Sequence, residues 1–225
     1  VMRYHKWPDA GTGTLPAYTT VSKGINVPER SLGTAYDWDQ MPLEYNRGQY
    51  TENQAEQVSR LMSDCGSMVQ MDYTSEASAA SEYNIPATLP VYMKYDTSIG
   101  VYSRGAYSAS EWHSMLEKEI KTNGPVIYSG RSTSSGHCFV LDGYTTEHYY
   151  SVNWGWGGYC NGYFLLNALV PSGSGAGGNN DHYNFYHSAV TGLMPDQGGD
   201  YIESIRLSNG GLSSETTVFE KDSPF

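Results

Sequence analysis

The sequence predicts an α+β fold in which helices come first and an antiparallel sheet follows. In the first half, apolar residues recur at helical spacing behind two capping boxes. In the second half, short strand-like segments rich in Tyr, Val and Phe are separated by turn residues. Because helical and strand-like segments are segregated along the chain, they favour α+β over an alternating parallel α/β sheet.

The two strongest helix patterns begin at Thr51 and Ser108. Thr51 precedes an amphipathic segment over residues 52–65, and Gly66 is expected to end it. Ser108 precedes a second apolar stripe that ends before Gly124. Weaker patterns predict the last turns of a helix at residues 1–8, strands at 18–21, 68–73 and 92–101, and a small-residue helix at 75–83.

The predicted sheet and the domain limits lie in the second half. Five strands are expected at residues 125–129, 138–144, 149–153, 162–166 and 186–192. A glycine-rich loop covers 171–181. One domain is predicted over residues 1–195, and residues 196–225 read as a linker with a short C-terminal β extension or the start of a further β-domain.

Composition narrows the possible partners. Asp and Glu number 24 against 13 Lys and Arg, and the net charge of −11 argues against nucleic acid and anionic membranes. No apolar run is long enough to span a bilayer, and Val1 is not followed by the apolar segment of a signal peptide. Three cysteines do not form a disulfide framework.

One histidine, His137, occupies a distinctive position at the start of a predicted β-hairpin. The other arm of the hairpin ends at Asn153-Trp154. In an antiparallel hairpin the two ends lie side by side, so an imidazole is expected beside an amide and an indole. This arrangement suits a histidine that must be oriented for chemistry, whereas an isolated strand-end histidine is more often an ordinary core residue.

The segment Gly136-His137, continued by Val152-Asn153-Trp154-Gly155-Trp156-Gly157-Gly158, resembles the histidine half of streptopain-like cysteine peptidases of the papain-like superfamily. Supporting similarity extends over about residues 1–195. The resemblance implies a papain-like fold and a secreted or cell-surface bacterial endopeptidase. It also implies a zymogen with a bound propeptide, and protein or peptide substrates.

The residues suggest three catalytic candidates. His137 would act as general base and then acid for a cysteine nucleophile. Asn153 would accept a hydrogen bond from the ring N–H of His137; the alternative is that Asn153 is a turn residue. Trp154 would cover that hydrogen bond, as the resemblance implies; the alternative is that Trp154 is an ordinary aromatic anchor. The resemblance further implies substrate contacts at Ser135 and Gly136, and at Ser78 and Ala79.

None of the cysteines present is expected to be the nucleophile. Cys138 follows His137 directly on a strand and so points to the opposite face, and Cys65 lies near a helix C-terminus. Cys160 is expected in a turn as the most exposed of the three. The resemblance places the nucleophile about two helical turns before Val1. Without it, the chain could instead be a cleaved or inactive homologue that serves as a peptide-binding or adhesin-like module.

No cofactor and no metal site are expected. The five other histidines show no recognised ligand spacing with Cys or Glu, and the glycine-rich loop lacks the Lys-Ser/Thr of a phosphate-binding loop.

Overall fold

A six-stranded antiparallel sheet forms the centre of the fold. The structure is a computed structural model that describes residues 1–45, 48–171, 182–196 and 198. The strands are β1 Thr14–Leu15, β2 Tyr18–Thr19, β3 Asn26–Val27, β4 Arg30–Ser31, β5 Gly100–Ser103, β6 Val126–Arg131, β7 Gly136–Tyr144, β8 Tyr150–Asn153, β9 Gly162–Phe164 and β10 Phe185–Thr191. The order in the main sheet is β5-β10-β6-β7-β8-β9, and two small sheets pair β1 with β4 and β2 with β3.

Four α-helices accompany the sheet within the part of the chain that the structure describes. They are α1 Met2–His5, α2 Glu52–Met68, α3 Asn84–Met93 and α4 Ala109–Thr122, with 3₁₀ turns at Trp38–Gln40 and Arg104–Ala106. Within the described residues, no helix is both long and apolar enough to cross a membrane.

The sheet separates two hydrophobic cores. One core packs α4 against one face of the sheet through Trp112 and Leu116. The other is built mainly from the N-terminal segment, α2 and α3, and it receives side chains from the opposite face. Ala189 and Val190, successive residues of β10, belong to different cores because strand side chains alternate between faces.

Both predicted capping boxes are confirmed. The Thr51 hydroxyl accepts from the Gln54 amide while the Gln54 side chain accepts from the Thr51 amide, and Ser108 and Glu111 do the same. The expectation that Gly66 ends α2 is wrong, because the helix continues to Met68. Gly66 instead gives room to the Tyr73 hydroxyl, which would lie 2.0 Å from an added Cβ.

The region between α2 and β5 differs most from expectation. The predicted strand at 68–73 is reduced to one bridge between Asp72 and Ala79, and the predicted helix at 75–83 is absent; α3 begins at Asn84 instead. Pro86 does not prevent this start, since a first-turn amide has no helical partner to lose. The five predicted strands of the second half are all present with shifted ends. The C-terminal extension lies almost wholly outside the described residues, and the boundary at 195 stays a prediction.

Two glycines next to His137 provide a matched test of packing. An added Cβ at Gly130 would lie 2.4 Å from the main-chain oxygen of Tyr183, whereas at Gly136 the nearest atom is 3.6 Å away. We expect Gly130→Ala to destabilise the fold by about 1–3 kcal/mol through overpacking. Gly136→Ala should change stability by less than about 0.5 kcal/mol. Urea unfolding of both variants measures this, and equal stabilities would contradict the packing described.

Candidate active site

The strand β7 fixes the position of His137. Its neighbour across the sheet is Gly130 of β6, and its side chain shares a face with Phe139 and Leu141, which lie in the core beneath α4. His137 itself is half-buried. The next residue, Cys138, lies on the opposite face, as alternation predicts. The imidazole therefore stands at the edge of a packed core, on a paired strand.

Four aromatic rings surround the imidazole. Trp156 stacks on it with a centroid distance of 4.9 Å and an interplanar angle of 24°, and Trp154 lies nearly parallel at 6.1 Å. Tyr183 and Phe139 approach at 5.3 and 6.0 Å. Trp154 is fully buried, so its indole shields one side of the histidine from water. These contacts restrict the ring to one orientation.

A main-chain hydrogen bond fixes the tautomer of His137. Its Nε2 lies 2.8 Å from the carbonyl oxygen of Trp154. A carbonyl only accepts, so Nε2 carries the hydrogen and donates it. In the neutral ring, Nδ1 is then the basic atom. Burial lowers the pKa of His137, and the bond to Trp154 partly opposes that shift. The ring is therefore neutral at pH 7, with its lone pair on Nδ1.

Asn153 does not make the hydrogen bond that the sequence suggested. Its Oδ1 accepts from the main-chain amide of Gly155 at 3.0 Å, an Asx turn in which a short side chain closes on its own backbone. Gly155 has a φ of 77°, which a glycine adopts without strain. On the other side, the amide of Trp154 donates to Asn161 Oδ1 at 3.0 Å. Asn153 thus holds the peptide unit that contains the Trp154 carbonyl, and Asn161 holds the peptide unit before it.

The loop before His137 is closed by Ser132. Its hydroxyl accepts from the amide of Ser135 at 2.9 Å, and its amide donates to the Ser135 carbonyl at 2.8 Å. Gly136 follows as the first residue of β7 and is exposed. This short loop therefore has a defined shape directly beside the histidine.

Ser78 and Ala79 lie on the exposed connection between α2 and α3. The amide and the carbonyl of Ala79 both bond to the main chain of Asp72, at 3.2 and 2.8 Å. Both main-chain groups of Ala79 are therefore occupied within the chain. The glycine-rich loop at 171–181 lies outside the described residues apart from Pro171.

The three cysteines are free, and the surroundings of Cys65 and Cys138 disfavour a thiolate. Burial raises the pKa of Cys65 to about 12, with a further contribution from Asp64. Desolvation of the sulfur and then the carboxylate of Glu82 raise the pKa of Cys138 to about 12, although the residue as a whole is exposed. Cys160, expected to be the most exposed, is partly buried against the α4 core, and Cys138 is the exposed one.

One cluster of ligand-type side chains was missed by the sequence analysis. His113, Glu117 and His148 bring one potential ligand atom each within 4.8 Å of one another. The signal in the sequence was the four-residue spacing of His113 and Glu117, which places both on one helix face. His148 could not be assigned to them without the tertiary structure.

The sequence of this chain matches the model of a known peptidase family. Residues 1–164 match the family model of the peptidase C10 family. The chain belongs to the peptidase C10 family. The family resemblance inferred from the sequence is thereby confirmed.

Two curated relatives show the extent of the match. Streptopain of Streptococcus pyogenes serotype M1 is 35% identical over 201 residues, covering 87% of this chain and 50% of streptopain. The thiol protease/hemagglutinin PrtT of Porphyromonas gingivalis is 31% identical over 195 residues, covering 87% of this chain and 22% of PrtT. The chain thus spans about half the length of streptopain, and less of PrtT.

Solved structures confirm the α+β, papain-like fold. Active wild-type interpain A of Prevotella intermedia superposes with a TM-score of 0.76 at 31% identity, covering 86% of this chain and 79% of the interpain chain. A prointerpain A fragment gives a TM-score of 0.71 at 31% identity, covering 87% and 60%.

The lowered pKa values of His137 and His187 predict how the free energy of unfolding depends on pH. Burial lowers the pKa of both His137 and His187, so the unfolded chain binds more protons than the folded chain as the pH falls below about 6.5. We expect the free energy of unfolding, measured with urea, to decrease between pH 7 and 5.5. His137→Gln should flatten this slope by at most about 1.4 kcal/mol per pH unit. A stability that increases on acidification in this range would contradict the burial of these rings.

Proposed function

We propose that the protein containing this chain is a secreted bacterial cysteine endopeptidase that cleaves peptide bonds through an acyl-enzyme. The observation that supports this most is the hydrogen bond from His137 Nε2 to the Trp154 carbonyl. It leaves Nδ1 as the basic atom of a neutral, oriented imidazole. Membership of the peptidase C10 family supports the same reaction class.

In this mechanism His137 moves a proton at every step. Nδ1 takes the thiol proton of the nucleophile, and the resulting imidazolium is stabilised by the Trp154 carbonyl that accepts from Nε2. The thiolate attacks the scissile carbonyl, and the imidazolium gives its proton to the leaving amine. In deacylation, Nδ1 takes a proton from the attacking water and returns it to the sulfur.

The nucleophile is proposed to be a cysteine that precedes Val1. Among the described cysteines, Cys65 is partly buried and has a raised pKa, and Cys138 points away from His137 on the other sheet face. The pKa of a nucleophilic thiol must instead be lowered by a neighbouring cation or helix N-terminus. The thiol of a cysteine outside the present sequence would meet this requirement if it faced Nδ1, because the protonated imidazole of His137 would be the neighbouring cation.

Trp154 and Asn153 are proposed to position the base. Trp154 supplies both the accepting carbonyl and a buried indole beside the ring. Asn153 acts through the turn to Gly155, which fixes the peptide that carries this carbonyl. Asn153 is therefore a positioning residue whose side chain does not need to touch the imidazole.

Peptide substrates are proposed to pass beside Ser135 and Gly136. Gly136 is exposed and has no side chain, so a substrate backbone can approach its main chain closely. Ser78 and Ala79 are proposed as a second contact region. Because the main chain of Ala79 is already paired with Asp72, contact there would use the side chains.

A zymogen with a bound propeptide is proposed for the whole protein. Support comes from the similarity to a prointerpain A fragment, whose name denotes a pro-form. Secretion or display on the cell surface, and a contribution to virulence, are proposed from the family resemblance. Recovery of a larger precursor and a processed form from culture medium would test both the zymogen and its export.

Replacing the base tests the proposed reaction directly. In the full-length protein, His137→Ala should lower kcat/KM for a peptide substrate by at least about 100-fold, because proton transfer is lost. It should also abolish labelling by a thiol-reactive peptidyl epoxide, which needs an activated thiolate. Thr146→Ala, on the exposed tip of the same hairpin, should behave as wild type.

Two outcomes would contradict this proposal. Labelling that persists in His137→Ala would show that another group activates the sulfur. A folded full-length protein without peptidase activity or labelling would favour a non-catalytic, peptide-binding or adhesin-like module.

The proposed role of Asn153 is tested by two substitutions. Asn153→Ala removes the acceptor for the Gly155 amide and should lower kcat by about tenfold with little change in KM. Asn153→Ser keeps a short acceptor for a turn amide but cannot reach the imidazole, so it should retain most of the activity. If the serine variant is as impaired as the alanine variant, the amide of Asn153 has a role beyond the turn.

A further inference from the structure

The far end of the β7–β8 hairpin carries a group of side chains that the peptidase mechanism does not use. His113 and Glu117 lie on α4, and His148 lies in the turn between β7 and β8. Potential ligand atoms of all three lie within 4.8 Å of one another. Seven residues of extended strand, about 23 Å, separate this end of β7 from His137. The group is thus remote from the proposed catalytic base.

Hydrogen bonds already hold these side chains together. Nδ1 of His148 lies 2.6 Å from Glu117 Oε1, and the rings of His113 and His148 stack with centroids 4.3 Å apart. Nδ1 of His113 lies 2.8 Å from the hydroxyl of Tyr150, a residue fully buried in the core. The Tyr150 hydroxyl also donates to Glu117 Oε1 at 3.5 Å. One helix and one turn therefore converge on a common point.

We propose that His113, Glu117 and His148 bind a divalent transition-metal ion of the zinc type. Two imidazoles and one carboxylate form a common ligand set for Zn²⁺, with water completing a tetrahedral site. Imidazole ligands favour Zn²⁺ and its neighbours in the first transition row over Mg²⁺ and Ca²⁺.

Binding requires side-chain rotations that bring the potential ligand atoms, now within 4.8 Å of one another, to tetrahedral spacing. Zinc–ligand bonds of about 2.0–2.1 Å in tetrahedral geometry separate the ligand atoms by about 3.3 Å. His148 and Glu117 would move apart slightly from 2.6 Å, and the ion would take the place of the hydrogen between them. Their side chains are 50% and 23% exposed, so solvent can reach the ion and these rotations are not blocked by a packed core.

In this proposal Tyr150 orients His113 without binding the ion itself. Its hydroxyl occupies Nδ1 of His113, so the proposal assigns Nε2 of that ring to the metal. A metal-bound histidine usually has its second nitrogen held in this way, which orients the ring. The ion would link α4 to the hairpin, whose opposite end carries His137 and Trp154. This proposal does not depend on the peptidase function.

Metal binding is tested with Zn²⁺ on the full-length protein after its thiols have been alkylated, because free cysteines also bind zinc. Calorimetry should show one Zn²⁺ per chain, and saturating Zn²⁺ should raise Tm whereas Ca²⁺ should not. Co²⁺ in the same protein should give the visible absorption of a tetrahedral site. Each of these results would support the proposal.

Variants from both elements show whether the named residues are the ligands. His113→Gln and His148→Asn should each weaken Zn²⁺ binding at least tenfold and remove the Zn²⁺-dependent rise in Tm. Asparagine suits position 148 because the backbone φ there is 62°. Tyr150→Phe should weaken binding by less, about tenfold at most. His182→Gln, an exposed histidine outside the group, should leave the affinity unchanged.

The proposal is overturned if Zn²⁺ binds equally well to wild type, His113→Gln and His148→Asn, or if the alkylated wild-type protein binds no zinc. Circular dichroism without metal verifies that each variant is folded. If either histidine variant does not fold, Glu117→Gln replaces it in the comparison. An unchanged affinity of Glu117→Gln for Zn²⁺ would likewise overturn the proposal.

Discussion

The hydrogen bond between His137 Nε2 and the Trp154 carbonyl is the interaction on which the proposed chemistry depends. It determines the tautomer, and it leaves Nδ1 as the basic atom of the neutral ring. Since the acceptor belongs to the main chain, its position is set by the turn after β8 and not by a rotatable side chain. Asn153 holds the peptide unit that contains that carbonyl and Asn161 holds the preceding one, so the orientation of the base derives from backbone geometry.

The sheet supports this arrangement by separating two cores. β7 lies between β6 and β8; residues 136–141 pair with β6 and residues 140–144 pair with β8, with a bulge after Leu141. α4 covers the face that carries His137, Phe139 and Leu141, and the N-terminal helices pack mainly against the opposite face. A histidine at the end of such a strand has few ways to move. The aromatic rings of Trp154, Trp156 and Tyr183 restrict it further.

Sequence patterns were reliable where the deciding interactions are local. The capping boxes at Thr51 and Ser108 involve residues three apart, and both are present. They failed between α2 and β5, where Gly66 makes room for Tyr73 rather than ending a helix, and where Asp72 pairs with Ala79 instead of joining the sheet. These contacts join residues that no short-range periodicity connects.

The sequence by itself determined the α+β class, the hairpin, and the approach of His137 to Trp154, because strand alternation and a turn are encoded over a few residues. Only the tertiary structure decided which atom accepts the hydrogen bond from His137 Nε2, since side-chain and main-chain oxygens of adjacent residues compete within a few ångströms. It also brought His148 to His113 and Glu117, residues more than 30 positions apart in the chain. Long-range packing of α4 on the sheet, rather than local propensity, sets that distance.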